Sequence, residues 1–136
     1  MKKISKIVAT TVVGLLAFSG LANVKAADWN AYTNYDIRVP QFNYATTEAV
    51  HKTTNSTEMK NFVNSFGWSG STIYTWVYKN SELSARTDVT GTGSYSMRIA
   101  QNLANQYRGG YIRLKLKTSP TTMHACDVSG EFHTDM

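Results

Sequence analysis

Tyr111-Ile112-Arg113-Leu114-Lys115-Leu116-Lys117 is the stretch that decides the fold class. Ile112, Leu114 and Leu116 recur at every second position, with Arg113, Lys115 and Lys117 between them. Successive side chains of a strand point to opposite faces, so this run reads as a strand with one buried face and one wet face. Residues 71–78 alternate in the same way but are bulky on both sides, with Ile73, Thr75 and Val77 set against Tyr74, Trp76 and Tyr78. Such a strand is either central and buried on both faces, or carries an aromatic face toward a ligand.

Working outward, Tyr35, Ile37 and Val39 alternate ahead of Pro40, and Phe42 and Tyr44 resume the pattern. Proline lacks a ladder donor, which points to a sheet edge or a bulge. Tyr95, Met97 and Ile99 alternate again, and residues 125–132 form the last run. Residues 46–54 and 59–66 are weaker strands, because Met59, Phe62, Val63 and Phe66 also fit a short helical face. Residues 101–108 are polar and read as a loop, although 97–103 also fits a turn of helix. Gly67, Gly70, Gly91-Thr92-Gly93, Gly109-Gly110 and Ser119-Pro120 separate these runs at the spacing of a sandwich. The expected fold is all-β: one antiparallel sandwich, jelly-roll or Ig-like, of seven to eight short strands.

The N-terminus has the layout of a Sec signal peptide at residues 1–26. Lys2, Lys3 and Lys6 precede an uncharged, largely apolar run at 7–22, and Val24-Lys25-Ala26 sets small residues where a signal peptidase cuts. The expected secreted domain is 27–136, long enough for one core. The whole sequence has 14 basic and 9 acidic residues; losing Lys2, Lys3, Lys6 and Lys25 leaves 10 against 9, a net charge of +1. That removes the electrostatic footprint of a nucleic-acid binder, so nucleic acid is not an expected partner. No integral membrane segment is expected after cleavage, since no later apolar stretch approaches about 20 residues. A single cysteine, Cys126, excludes an intramolecular disulfide and leaves an intermolecular one open.

The short signal, the tyrosine-rich first strand (Tyr32, Tyr35), the aromatic Thr75-Trp76-Val77 and the Gly91-Thr92-Gly93 turn share one layout. It resembles that of small exported proteins of Gram-positive bacteria whose β-rich domain has no assigned function. The resemblance implies a secreted β domain in a bacteriocin-like export context, and implies no catalytic residues.

His124, Cys126 and His133 are the densest ligand-type cluster, with His124 and Cys126 on one face of a strand. A thiolate with imidazoles suits zinc or copper. The paired-ligand spacing of a closed site is missing, so the expectation is no metal and no cofactor, with Cys126 packed as a small apolar residue. No nucleophile elbow, zinc-protease helix or phosphate loop occurs, and the carboxylates sit in no motif. The expected protein is not an enzyme.

Two rows carry the binding expectations. Arg113, Lys115 and Lys117 form a cationic row suited to teichoic acid, anionic lipid or another acidic partner; the plainer alternative is an edge strand guarded by charge. Tyr74, Trp76 and Tyr78 form an aromatic platform on which sugar rings would stack, unless that face is core. The expectation is therefore a secreted, non-enzymatic protein that engages a cell-envelope polymer or surface protein. It would act as a bacteriocin-like factor through the cationic row or as a wall-glycan module through the aromatic one.

Overall fold

The computed structural model describes Trp29 and residues 31–136, and the expected signal at 1–26 lies outside the described residues. The described residues form nine strands and one short helix: β1 Tyr32–Val39, β2 Tyr44–Thr46, β3 Val50–His51, β4 Glu58–Phe66, β5 Ile73–Tyr78, β6 Thr87–Val89, β7 Gly93–Arg98, α1 Gln101–Tyr107, β8 Tyr111–Thr118 and β9 Cys126–His133. They build two antiparallel sheets, a four-stranded one ordered β1-β9-β4-β7 and a five-stranded one ordered β2-β8-β5-β6, with β3 also on β8. The first strands pair with the last, β1 with β9 and β2 with β8, while β4 and β5 lie inside them. That nested order is the jelly roll, and it separates this sandwich from an Ig-like one.

The period-2 reading of 111–117 holds in detail. Ile112, Leu114 and Leu116 are wholly buried, and Arg113 and Lys117 are exposed. They meet Ile73 and Val77 of β5 and, from the other sheet, Val39, Met59, Val63, Val128 and Phe132 in one core. Each such side chain contributes about 1.5–3 kcal/mol over its exposed state. The ambiguous 59–66 is strand β4, and its inward row is Met59, Asn61 and Val63. Asn61 hides the alternation; it is buried because it accepts a 2.5 Å hydrogen bond from the Tyr35 hydroxyl. Pro40 follows the end of β1, an edge strand of its sheet, and its carbonyl accepts a hydrogen bond from the Thr118 hydroxyl.

Two expectations are corrected. Residues 101–107, read as a loop, form helix α1, with Leu103, Ala104 and Tyr107 against the core. The weak strand at 46–54 is not continuous: Thr46 ends β2, Val50–His51 is β3 along the same side of β8, and 52–54 lie outside any strand. Between β2 and β3, Thr47 continues the ladder: its amide donates to Leu114 O at 3.0 Å, and its Oγ1 accepts the Leu114 amide at 3.1 Å. The side chain stands where a strand carbonyl would. Thr47→Val leaves that buried amide without its acceptor and is expected to lower stability by about 1–3 kcal/mol, read by urea unfolding, with Thr47→Ser close to the parent.

Candidate functional site

The pairing of β5 with β8 brings the two rows together. Tyr74 lies opposite Lys117, Trp76 opposite Lys115 and Tyr78 opposite Arg113. Ile73, Thr75 and Val77 take the inner face with Ile112, Leu114 and Leu116, so the outer face of this sheet is aromatic and cationic at once. Tyr74, Trp76 and Tyr78 are half-buried on that outer face rather than in the core. The edge strand β2 sets Tyr44 against Lys117 from the far side. Tyr111 extends the row at the start of β8, its ring stacked on His51 with centroids 4.8 Å apart.

Within this face the basic residues have different tasks. Lys115 is held inside a cage: its Nζ is 4.6 Å from the Tyr44 ring centroid, 5.1 Å from that of Trp76 and 5.2 Å from that of Tyr78. It also pairs with Glu82 at 2.8 Å, and its side chain is only 14% exposed. Cation–π contacts of this kind contribute about 0.5–2 kcal/mol, so Lys115 fixes the three rings and its charge is already engaged. Arg86 does the same for Tyr74, with its guanidinium 3.8 Å from the ring centroid while it pairs with Asp88 at 2.8 Å. Arg113 donates to Thr47 O at 3.0 Å, and neither it nor Lys117 has an ion pair among the described residues. The outer face thus offers two cations beside ring faces held in place by a third and a fourth. The cationic row lies on β8, which has neighbours on both sides, so it does not guard a sheet edge.

The His124, Cys126 and His133 cluster does not assemble. Cys126 faces the core at the start of β9, where burial pushes its thiol up. His133 sits at the other end of β9, paired with Glu131 at 2.9 Å and stacked on Tyr32. His124 packs on Trp68, ring centroids 3.9 Å apart. An intermolecular disulfide at Cys126 would need β9 to open first. The carboxylates Asp127, Asp88, Glu58, Glu82 and Glu131 are each engaged by a basic side chain or histidine.

Sequence reasoning missed one buried pair. Lys52 Nζ lies 3.0 Å from Asp135 Oδ1, both side chains at 0% exposure. Asp135 also accepts the Thr53 and Thr54 amides and the Thr54 and Thr134 hydroxyls. Burial alone would raise its carboxyl, but the Thr54 hydroxyl, the Thr53 amide and Lys52 outweigh that and hold it below the usual aspartate range. The partners are 83 residues apart and nothing local marks them.

No helix among the described residues is long and apolar enough to cross a membrane. Compared with protein-family models, curated proteins and solved structures, the chain matches none.

Proposed function

We propose that this is an exported, non-enzymatic binding protein of the small Gram-positive type its sequence resembles. It holds an anionic, sugar-bearing polymer of the cell envelope on the outer face of its five-stranded sheet. The observation that carries this reading is the register of β5 on β8, which interleaves the Tyr74, Trp76 and Tyr78 rings with Arg113, Lys115 and Lys117. Sugar rings stack on aromatic faces through C–H and dispersion contacts, and Trp76 is the central ring. Phosphate groups of the same polymer would meet Lys117 and Arg113, which stand four residues, about 13.6 Å, apart along the strand. Lys115 and Arg86 order the rings beforehand, which lowers the entropy lost on binding.

The test is pull-down of the purified chain by isolated Gram-positive walls. Trp76→Ala is expected to weaken binding about tenfold or more, as removal of a central aromatic contact does. Lys117→Ala is expected to weaken it less and to flatten its decline with salt, because exposed charges are screened within about 10 Å at 0.1 M. Binding unaffected by both changes would contradict the reading. A bacteriocin-like action is the second reading, favoured by the cations Lys117 and Arg113, which have no ion pair among the described residues, and it predicts growth inhibition that fades with salt in the same assay.

A further inference from the structure

The sandwich has one end unlike the rest of its surface. The antiparallel register gathers four short loops there, 40–43, 67–72, 90–92 and 119–125, each crossing from one sheet to the other. None of the four contains Asp, Glu, Lys or Arg, whereas the connections at the opposite end carry Lys79, Glu82, Arg86 and Arg108. Three of these loops also put a large apolar side chain into solvent: Phe42 at 74% exposure, Trp68 at 55% and Met123 at 67%. Two clefts, of about 210 and 260 Å³, flank the 119–125 loop, with Phe42 lining the first and Trp68 and Met123 the second, so the three side chains share one end surface.

Three of the four loops are tied together, 40–43, 67–72 and 119–125. The Ser119 amide donates to Thr72 O at 3.0 Å, the Thr72 amide to Thr122 Oγ1 at 3.2 Å, and the Thr118 hydroxyl to Pro40 O at 3.1 Å. Ser119 Oγ is within 2.9 Å of Thr122 Oγ1 and 3.1 Å of Thr121 Oγ1. Phe42 is held outward at φ 66°, a left-handed conformation that a bulky side chain rarely adopts. Strain retained at a large exposed apolar residue is a mark of use rather than of folding.

We propose that this end of the sandwich docks on an anionic lipid bilayer, with Phe42, Trp68 and Met123 entering its interfacial layer. Four observations fit that occupant. The loops hold no Asp, Glu, Lys or Arg where charge is costly, and the Ser119, Thr121 and Thr122 hydroxyls bond among themselves where water is scarce. An aromatic ring with a polar edge, as in Trp68, is the side chain favoured at the headgroup level. Lys117, which lines the Phe42 cleft and has no ion pair among the described residues, stands where anionic headgroups would meet it. The inference rests on the loop end; Lys117, at the edge of the outer sheet face, is the one residue it shares with the proposed polymer site.

The test is sedimentation of the purified chain with vesicles of phosphatidylcholine, with and without phosphatidylglycerol. The chain is expected to sediment with the anionic vesicles. Phe42→Gly combined with Met123→Ser is expected to weaken that about tenfold or more without lowering the melting temperature, since both side chains are exposed and glycine accepts the Phe42 backbone. Trp76→Ala is expected to leave vesicle binding in place, which separates this end from the sheet face. Absence of binding by the parent chain, or equal binding by the double variant, overturns the proposal. So does loss of self-association in the double variant with no lipid binding by the parent, which would make the end a contact between copies.

Discussion

Asp135→Ala is expected to destabilise the fold by about 3–5 kcal/mol, because it leaves the Lys52 ammonium buried without its partner. The Lys52 Nζ has Ser56 O at 2.7 Å and Thr134 O at 3.4 Å as its remaining acceptors, neither of them charged. The Thr53 and Thr54 amides lose an acceptor in the same step. Replacing both partners, Lys52→Met with Asp135→Leu, is expected to cost less than Asp135→Ala alone, since no buried charge is then left over. Acid tests the same pair. The Asp135 carboxyl is held below its ordinary value in the folded state. Its contribution is therefore full above the unfolded-chain value near 4 and is lost as pH falls through the lower folded value. Urea midpoints across that range are expected to fall on acidification in the parent and to fall less steeply in the double variant.

Gly130→Ala is expected to be at least as severe, above about 4 kcal/mol, or to abolish soluble expression. Gly130 lies in β9 between β1 and β4, beside the irregularity in β4 between Val63 and Ser65. A Cβ there would come within 2.0 Å of Phe62 O and 3.0 Å of the Tyr35 hydroxyl. The first of these is backbone in a central strand and has no rotamer to move to, so the sheet itself must part. Gly91→Ala, in the 90–92 loop with open space around it, is the control and is expected to stay within about 0.5 kcal/mol of the parent. Thermal melts of the two variants decide the point.

These examples also mark what local pattern carries. The alternation in β8 and β5 was legible because β8 keeps one clean apolar row and β5 an inward row of β-branched Ile73, Thr75 and Val77, and so were the two outward rows as separate features. Their meeting was not: it depends on the pairing of β5 with β8, and β6, β7 and α1 lie between those two strands in the chain, so no single turn in the sequence sets it. Helix α1 was obscured by its polar composition, although Leu103, Ala104 and Tyr107 do repeat at helical spacing. β4 was obscured for the opposite reason: Asn61 puts a polar residue in the inward row, and only its bond to Tyr35, 26 positions earlier, explains why it is there. The Lys52–Asp135 pair and the gathering of Phe42, Trp68 and Met123 are products of topology alone. In the outer sheet face, the sequence indicated the chemistry, and the fold determines how the two rows combine.

On the proposed reading, the rings and cations of this face act together on one ligand. That joint action is tested most directly by a nuclear magnetic resonance titration of the purified chain with a glycerol-phosphate wall polymer carrying sugar substituents. Shifts are expected to concentrate on Tyr44, Tyr74, Trp76, Tyr78, Arg113 and Lys117, and Trp76→Ala is expected to remove them while the rest of the spectrum stays folded. Shifts confined to the four-stranded sheet, or none at saturating polymer, would contradict it.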